Sequence, residues 1–467
     1  MLRLYTALGG MKKGGTYMKK LTALTLTFCL LLTLTGCQKN TGSSGSGAVA
    51  DQKGGSVYYL NFKPEVADVY QKIAEAYQKE TGVELRVVTA ASGTYEQTLK
   101  SEMAKSDAPT LFQINGPLGY LNWKDYCADL SDTELYRHLK DKSLAVTSGG
   151  KVYGIPYVVE GYGIIYNNAI LQKYFETEGA KVSSAEQINS FSKLQEVVED
   201  MTAKKEQLGI DGVFACTSLK PGEDWRWQTH LANIPISYEW IRGEVDLTSD
   251  ATREIAFSYH ENFKNIFDLY LQNSTVDPKL LGTKQVMDSM AEFALGKCAM
   301  VQNGNWAWND IKGVEGNTVK EENIRFLPIY TGMEGEETQG LCIGTENFFC
   351  INAKASEADQ KRAADFIYWL FSSQTGKKFV TEDLGFIAPF DTFSADEHPN
   401  DPLAGEVADW MNREEVQNIG WNFTLFPGQT FKDHFGGALL QYAQGNMNWG
   451  DLVSQVVEDW KTQSASR

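Results

Sequence analysis

Residues 57–62 read VYYLNF, and the alternation that this run opens decides the architecture. It is β-branched and aromatic, and predicts a strand over Val57–Phe62. Glu65–Gln78 then carries Val66, Val69, Ile73 and Tyr77 at helical spacing, one face of an amphipathic helix. Thr81-Gly82 ends that helix, because glycine tolerates the left-handed conformation of a helix C-terminus. A strand over Glu84–Thr89, a helix over Tyr95–Ser106 and a short strand over Thr110–Ile114 follow. This order predicts an α/β fold on a doubly wound, mostly parallel sheet. Ligands of such sheets lie beyond the carboxyl ends of the strands. Here those ends are 61–63, 90–95 and 113–116.

A second apolar series starts at Val152–Pro156 and Gly163–Asn167. Helices are expected over Ser192–Gln207, Thr252–Leu271 and Lys284–Leu295, with strands at Val213–Cys216 and Cys298–Gln302. Strands at Ile324–Pro328 and Asn347–Ile351 precede an amphipathic helix over Glu357–Phe371, and the chain ends in helices. A length of 467 residues suits two domains rather than one core.

The N-terminal region points outward from the cell. Met18-Lys19-Lys20 is basic, Leu21–Leu34 is an apolar run of signal-peptide length, and Leu34-Thr35-Gly36-Cys37 resembles the lipobox of bacterial lipoproteins. Residues 1–36 are therefore expected to be a signal peptide with its true start at Met18. Cys37 is the expected lipidated residue, and residues 37–55 a Ser/Gly tether. Of seven cysteines, five remain beyond this region, at irregular spacing. They read as buried free thiols, with a Cys342–Cys350 pair as the alternative.

The formal net charge is −17. That leaves no electrostatic footprint for nucleic acid, whose binding rests on Lys and Arg at phosphates. The five histidines are scattered, with no zinc spacing, EF-hand loop, phosphate loop or nucleophile elbow. No metal, cofactor or catalytic residue is expected.

The most informative segment is residues 293–308, FALGKCAMVQNGNWAW. A helix ends at Gly296, a short strand follows, and Gly304 turns the chain so that Trp306 stands at a strand's carboxyl end. An indole placed there can stack on the CH face of a pyranose; Trp308 reads as core. Residues 154–167 (GIPYVVEGYGIIYN), Ala108–Phe112 and Thr381–Pro389 add three further motifs in order.

At these residues the sequence resembles the family 1 extracellular solute-binding proteins of ABC importers, a maltose-binding-protein-like group. The resemblance implies a two-lobed periplasmic-binding-protein clamp of type II. Lobe 1 would be 56–155 plus 329–373, and lobe 2 would be 156–328 plus 374–467. Crossings are expected near Val152–Glu160, Phe326–Ile329 and Ser372–Gly376, with hinge closure on a ligand.

The resemblance also implies that Glu160 faces the ligand, and that a carboxylate and an aromatic lie near Pro221–Trp227, so that Trp225 is taken with either Glu223 or Asp224. Asn115, Glu346, Phe386 and Phe431 are further candidate contacts. The expected role is that of a monomeric, lipid-anchored sugar receptor on a Gram-positive cell membrane, delivering a mono- or oligosaccharide to an ABC permease without catalysis. Two alternatives stay open. One is a same-fold binder of a polyamine, peptide or organic phosphate; the other is a glycoside-active enzyme using Glu160 with Glu223 or Asp224.

Overall fold

The computed structural model describes residues 55–465 apart from 92, 248, 395, 396 and 398. The expected signal peptide, Cys37 and nearly all of the tether lie outside the described residues. Among the described residues, twelve strands form in chain order. The first six are β1 (Val57–Asn61), β2 (Leu85–Thr89), β3 (Leu111–Asn115), β4 (Val146–Ser148), β5 (Lys151–Pro156) and β6 (Glu160–Asn167). Then come β7 (Gly212–Phe214), β8 (Cys298–Gly304), β9 (Ile324–Leu327), β10 (Gln339–Gly344), β11 (Asn347–Ile351) and β12 (Gln417–Ile419). They make two sheets, β2-β1-β3-β11-β5-β4 and β12-β10-β6-β8-β7, with β9 also paired to β6.

The α/β class and the two-sheet plan agree with the sequence, but the sheets are mixed rather than mostly parallel. β1 runs parallel to β2 and β3, whereas β11 is antiparallel to both β3 and β5. In the second sheet β7–β8 and β10–β12 are parallel, and β6 is antiparallel to β8, β9 and β10. The cause is the chain's repeated crossing between sheets. A strand that returns from the other half, as β11 does from β10, enters its sheet from the cleft end.

Burial explains why β1 is apolar throughout. All five of its residues are buried. Tyr59 packs into a core with Tyr70, Ile73 and Phe366, while its neighbour Leu60 joins a separate core with Tyr95, Leu99 and Phe112. Helices thus cover both faces, and a strand buried on both faces loses polar alternation. The helix Ala67–Thr81 stops at Gly82, whose φ of 73° is left-handed and whose N–H donates to the Gln78 carbonyl at 2.9 Å.

The chain first changes sheets at Tyr157–Val159, between β5 and β6. The other two crossings differ from expectation. Ile324–Leu327 pairs with β6 and Ile329 packs in the second core, so the return waits until Thr345-Glu346, between β10 and β11. Nor does the chain leave the first half at Ser372–Gly376. Val380, Leu384, Phe386, Phe390 and Phe393 all bury in the first core, and the chain joins the second half only by Leu403. Residues 329–344 therefore pack with the second half and 374–393 with the first, because each follows the apolar surface that covers it. All five described cysteines are buried and free, Cys342 and Cys350 among them.

Candidate functional site

The two halves meet at the carboxyl end of β1. Asn61 fixes the chain leaving that strand, accepting from the Lys63 N–H at 3.1 Å and donating to the Lys63 carbonyl at 2.8 Å. The Lys63 ammonium then reaches Glu160 at the start of β6, at 2.7 and 2.9 Å from its two oxygens. Glu65 lies 3.5 Å from the same ammonium. Burial alone would push the Lys63 pKa down; the charges of Glu160 and Glu65 overcome that and raise it. Two further close approaches bring the halves together. A Cβ on Gly93 would come within 2.5 Å of the Gly222 carbonyl oxygen, and one on Gly116 would lie 3.0 Å from Thr424.

Trp306 is held by the turn predicted from the sequence. A Cβ on Gly304 would sit 2.2 Å from the Trp306 ring, so only glycine lets the indole fold back over the strand end. Asn303 Oδ1 accepts from Trp306 Nε1 at 2.8 Å and from Arg226 Nε at 3.0 Å. Gly161 and Asn305 clamp one another through two hydrogen bonds, which places Glu160 beside Trp306. Glu65, Glu160, Trp306 and Phe386 share the lining of one recess.

Trp225 precedes a π-helical turn, Arg226–Leu231. The wider winding of a π turn sets residues five apart on one side. Trp225 and His230 accordingly have ring centroids 4.7 Å apart. The Arg226 guanidinium stacks on Trp225 at 3.9 Å. Trp306 lies 5.8 Å from Trp225 and 6.3 Å from Trp421. Together Trp225, Trp306, Trp421 and His230 make an aromatic wall in the second half. Burial, then the positive charge of Arg226, holds the His230 imidazole well below its ordinary pKa, so it is neutral.

Several buried polar atoms near these residues have no protein hydrogen-bond partner. Among the described residues they include His230 Nε2, Gln302 Oε1 and Trp421 Nε1 on the aromatic side. Asn115 Oδ1 and Asn347 Oδ1 are further ones where β3 and β11 pair, with Thr345 Oγ1 just before β11. Orphaned groups of this kind are costly and call for an explanation.

The structure sorts the sequence candidates. It brings Glu160, Trp306, Trp225 and Phe386 to the junction, and it sets Asn115 and Glu346 side by side at the second crossing, where the Gly116 N–H donates to the Glu346 carbonyl. Glu223 is committed elsewhere, accepting from the Val286 N–H at 2.8 Å. Asp224 is turned into its own half against Gly436, where a Cβ would lie 1.8 Å from its Oδ2. Phe431 is fully buried against Trp460 and Phe435, a core residue rather than a cleft residue. Sequence reasoning missed Lys63, Arg226, His230 and Trp421 as individual site residues, although Lys63 lay in a strand end it had singled out.

Two sheet-based halves joined by three crossings, with an aromatic and polar lining between them, define a ligand-binding protein of the solute-binding kind. Residues 72–406 match the family described as bacterial extracellular solute-binding protein, and the chain belongs to that family. The melibiose/raffinose/stachyose-binding protein MelE of Bacillus subtilis (strain 168) is 30% identical over 148 residues, 31% of this chain. That alignment spans 33% of MelE, about a third of its length. Among solved structures, RafE in complex with raffinose matches with a TM-score of 0.67 at 17% identity, covering 88% of this chain and 99% of that one. A Bacillus licheniformis sugar transporter in complex with stachyose gives 0.63 at 17% identity, covering 88% and 100%. At such identities the structural likeness establishes the fold.

Proposed function

We propose that this protein is the sugar receptor of an ABC importer, binding a mono- or oligosaccharide between its halves and delivering it to the membrane permease. The observation that carries the reading is the aromatic wall of Trp225, Trp306 and Trp421 lined by unpartnered polar atoms. Flat indoles suit the CH faces of pyranoses, and orphaned amide, imidazole and indole groups suit hydroxyls, which both donate and accept. The sugars named for MelE, RafE and the Bacillus licheniformis transporter support the same class.

The receptor acts as a monomer without catalysis, held through lipidated Cys37 at the outer face of a Gram-positive cell membrane. The lipobox-like segment supports that anchor, and no described helix is long and apolar enough to cross a membrane. The engagement of Glu223 with Val286 weighs against its use as a catalytic partner of Glu160.

A thermal-shift screen of residues 38–467 with raffinose, stachyose and a wider saccharide panel tests the reading. A ligand at 100 times its dissociation constant stabilises by about 2.7 kcal/mol. A shift without turnover is expected; silence across the panel would contradict a sugar ligand.

A further inference from the structure

The cleft is unevenly charged where the chain crosses from β10 to β11. Glu65 and Glu160 lie against one ammonium, that of Lys63, which Glu160 holds through both oxygens, and the charge of Lys63 also acts on Glu346. Asn347 Nδ2 donates to Glu346 Oε1 at 3.3 Å. Asn347 itself is 1% exposed, and its Oδ1 has no partner. Asn115 Oδ1, paired across from Asn347 in the ladder, and Thr345 Oγ1 are likewise unpartnered. Unpartnered polar oxygens thus gather at this end of the cleft around the Glu346 carboxylate.

From this juxtaposition we infer that the ligand carries an amine: the sugar is an amino sugar whose ammonium seats against Glu346, Asn347 and Asn115. This rests on the reading that a saccharide occupies the cleft. An ammonium offers three donors and a charge, and three acceptors, one of them a carboxylate, match it. A neutral hydroxyl would supply a single donor and no charge to Glu346. The groups facing Glu346 agree with this. Burial pushes its pKa up to about 7, the positive charge of Lys63 counters this, Glu160 adds to the rise, and Lys432 from the helix Gln429–Ala443 counters it as well. A carboxylate held in that condition gains from an arriving cation.

Calorimetric titration of residues 38–467 with glucosamine oligomers, their fully N-acetylated counterparts and stachyose tests the assignment. The glucosamine oligomers are expected to bind at least tenfold more tightly than the acetylated ones, which lack the charge. E346Q is expected to remove that preference, weakening the glucosamine oligomers at least tenfold more than the acetylated ones. The inference is overturned if acetylated oligomers or stachyose bind as tightly as the amines, or if E346Q leaves the preference intact. The ligand comparison on the unmodified chain stands even if that variant fails to fold. Neutral sugars binding without an amine preference would sink only this inference. Absence of binding by every saccharide would sink the sugar reading with it.

Discussion

Lys63 and Glu160 join the two halves through a buried ion pair, with Nζ 2.7 Å from Oε1 and both side chains almost fully covered. One partner leaves β1 and the other opens β6, so the pair spans the junction that a ligand must enter. Removing a single member leaves the other charge buried and unpaired, at a cost of about 3–5 kcal/mol. K63M and E160Q are each expected to lower the melting temperature clearly, while K63M/E160Q together should recover much of the loss. A double-mutant cycle by thermal melting checks this, and strict additivity would count against the pairing.

W306A is expected to weaken sugar binding by about 2 kcal/mol or more, roughly thirtyfold, because buried aromatic anchors dominate such sites. G304A should mimic it, since a new Cβ would collide with the indole at 2.2 Å. Titration of both variants, with circular dichroism to verify folding, measures the effect.

Phe431 tests the division between core and cleft. F431A is expected to destabilise the fold by about 3–5 kcal/mol through the cavity beside Trp460. The folded fraction should bind ligand normally. Denaturant melts with titration on the folded protein separate the two effects.

Acidity should strengthen this protein before it weakens it. Burial first, with Asp433 adding, raises Asp224 to about 7, and burial raises Glu346 and Asp401 to the same value. A carboxyl whose folded pKa lies above its unfolded one binds more protons when folded, so stability falls as pH rises from about 4 to about 7. The three raised carboxyls outweigh His230, whose lowered pKa acts the other way below its unfolded value, so the melting temperature should be higher at pH 5 than at pH 8. D224N should reduce that difference, by on the order of 1 kcal/mol or more for this group alone. Equal melting at the two pH values would contradict the assignment.

The first βαβαβ stretch was legible because its apolar residues repeat with clean strand and helix periods, and Gly82 closes the first helix where the sequence places a stop. Trp306 was legible because Gly296 and Gly304 bracket one short strand. His230 was not, since it lies in a π turn that feeds a helix containing Pro235, and neither has a periodic signature. Trp421 follows a three-residue strand too short to announce itself. The crossings were displaced for a related reason. Val380, Leu384, Phe390 and Phe393 mark a buried segment, but apolar spacing does not say which of two cores will cover it. The antiparallel places of β6 and β11 follow from those crossings and not from a local residue pattern.

The central claim is that a saccharide binds between the halves against Trp306. Calorimetric titration of residues 38–467 and of W306A with the saccharide panel tests it most directly. Saturable one-site binding to the unmodified chain, without product formation and at least tenfold weaker in W306A, is the predicted result. Binding that W306A retains unchanged, or no binding by any saccharide, would contradict it.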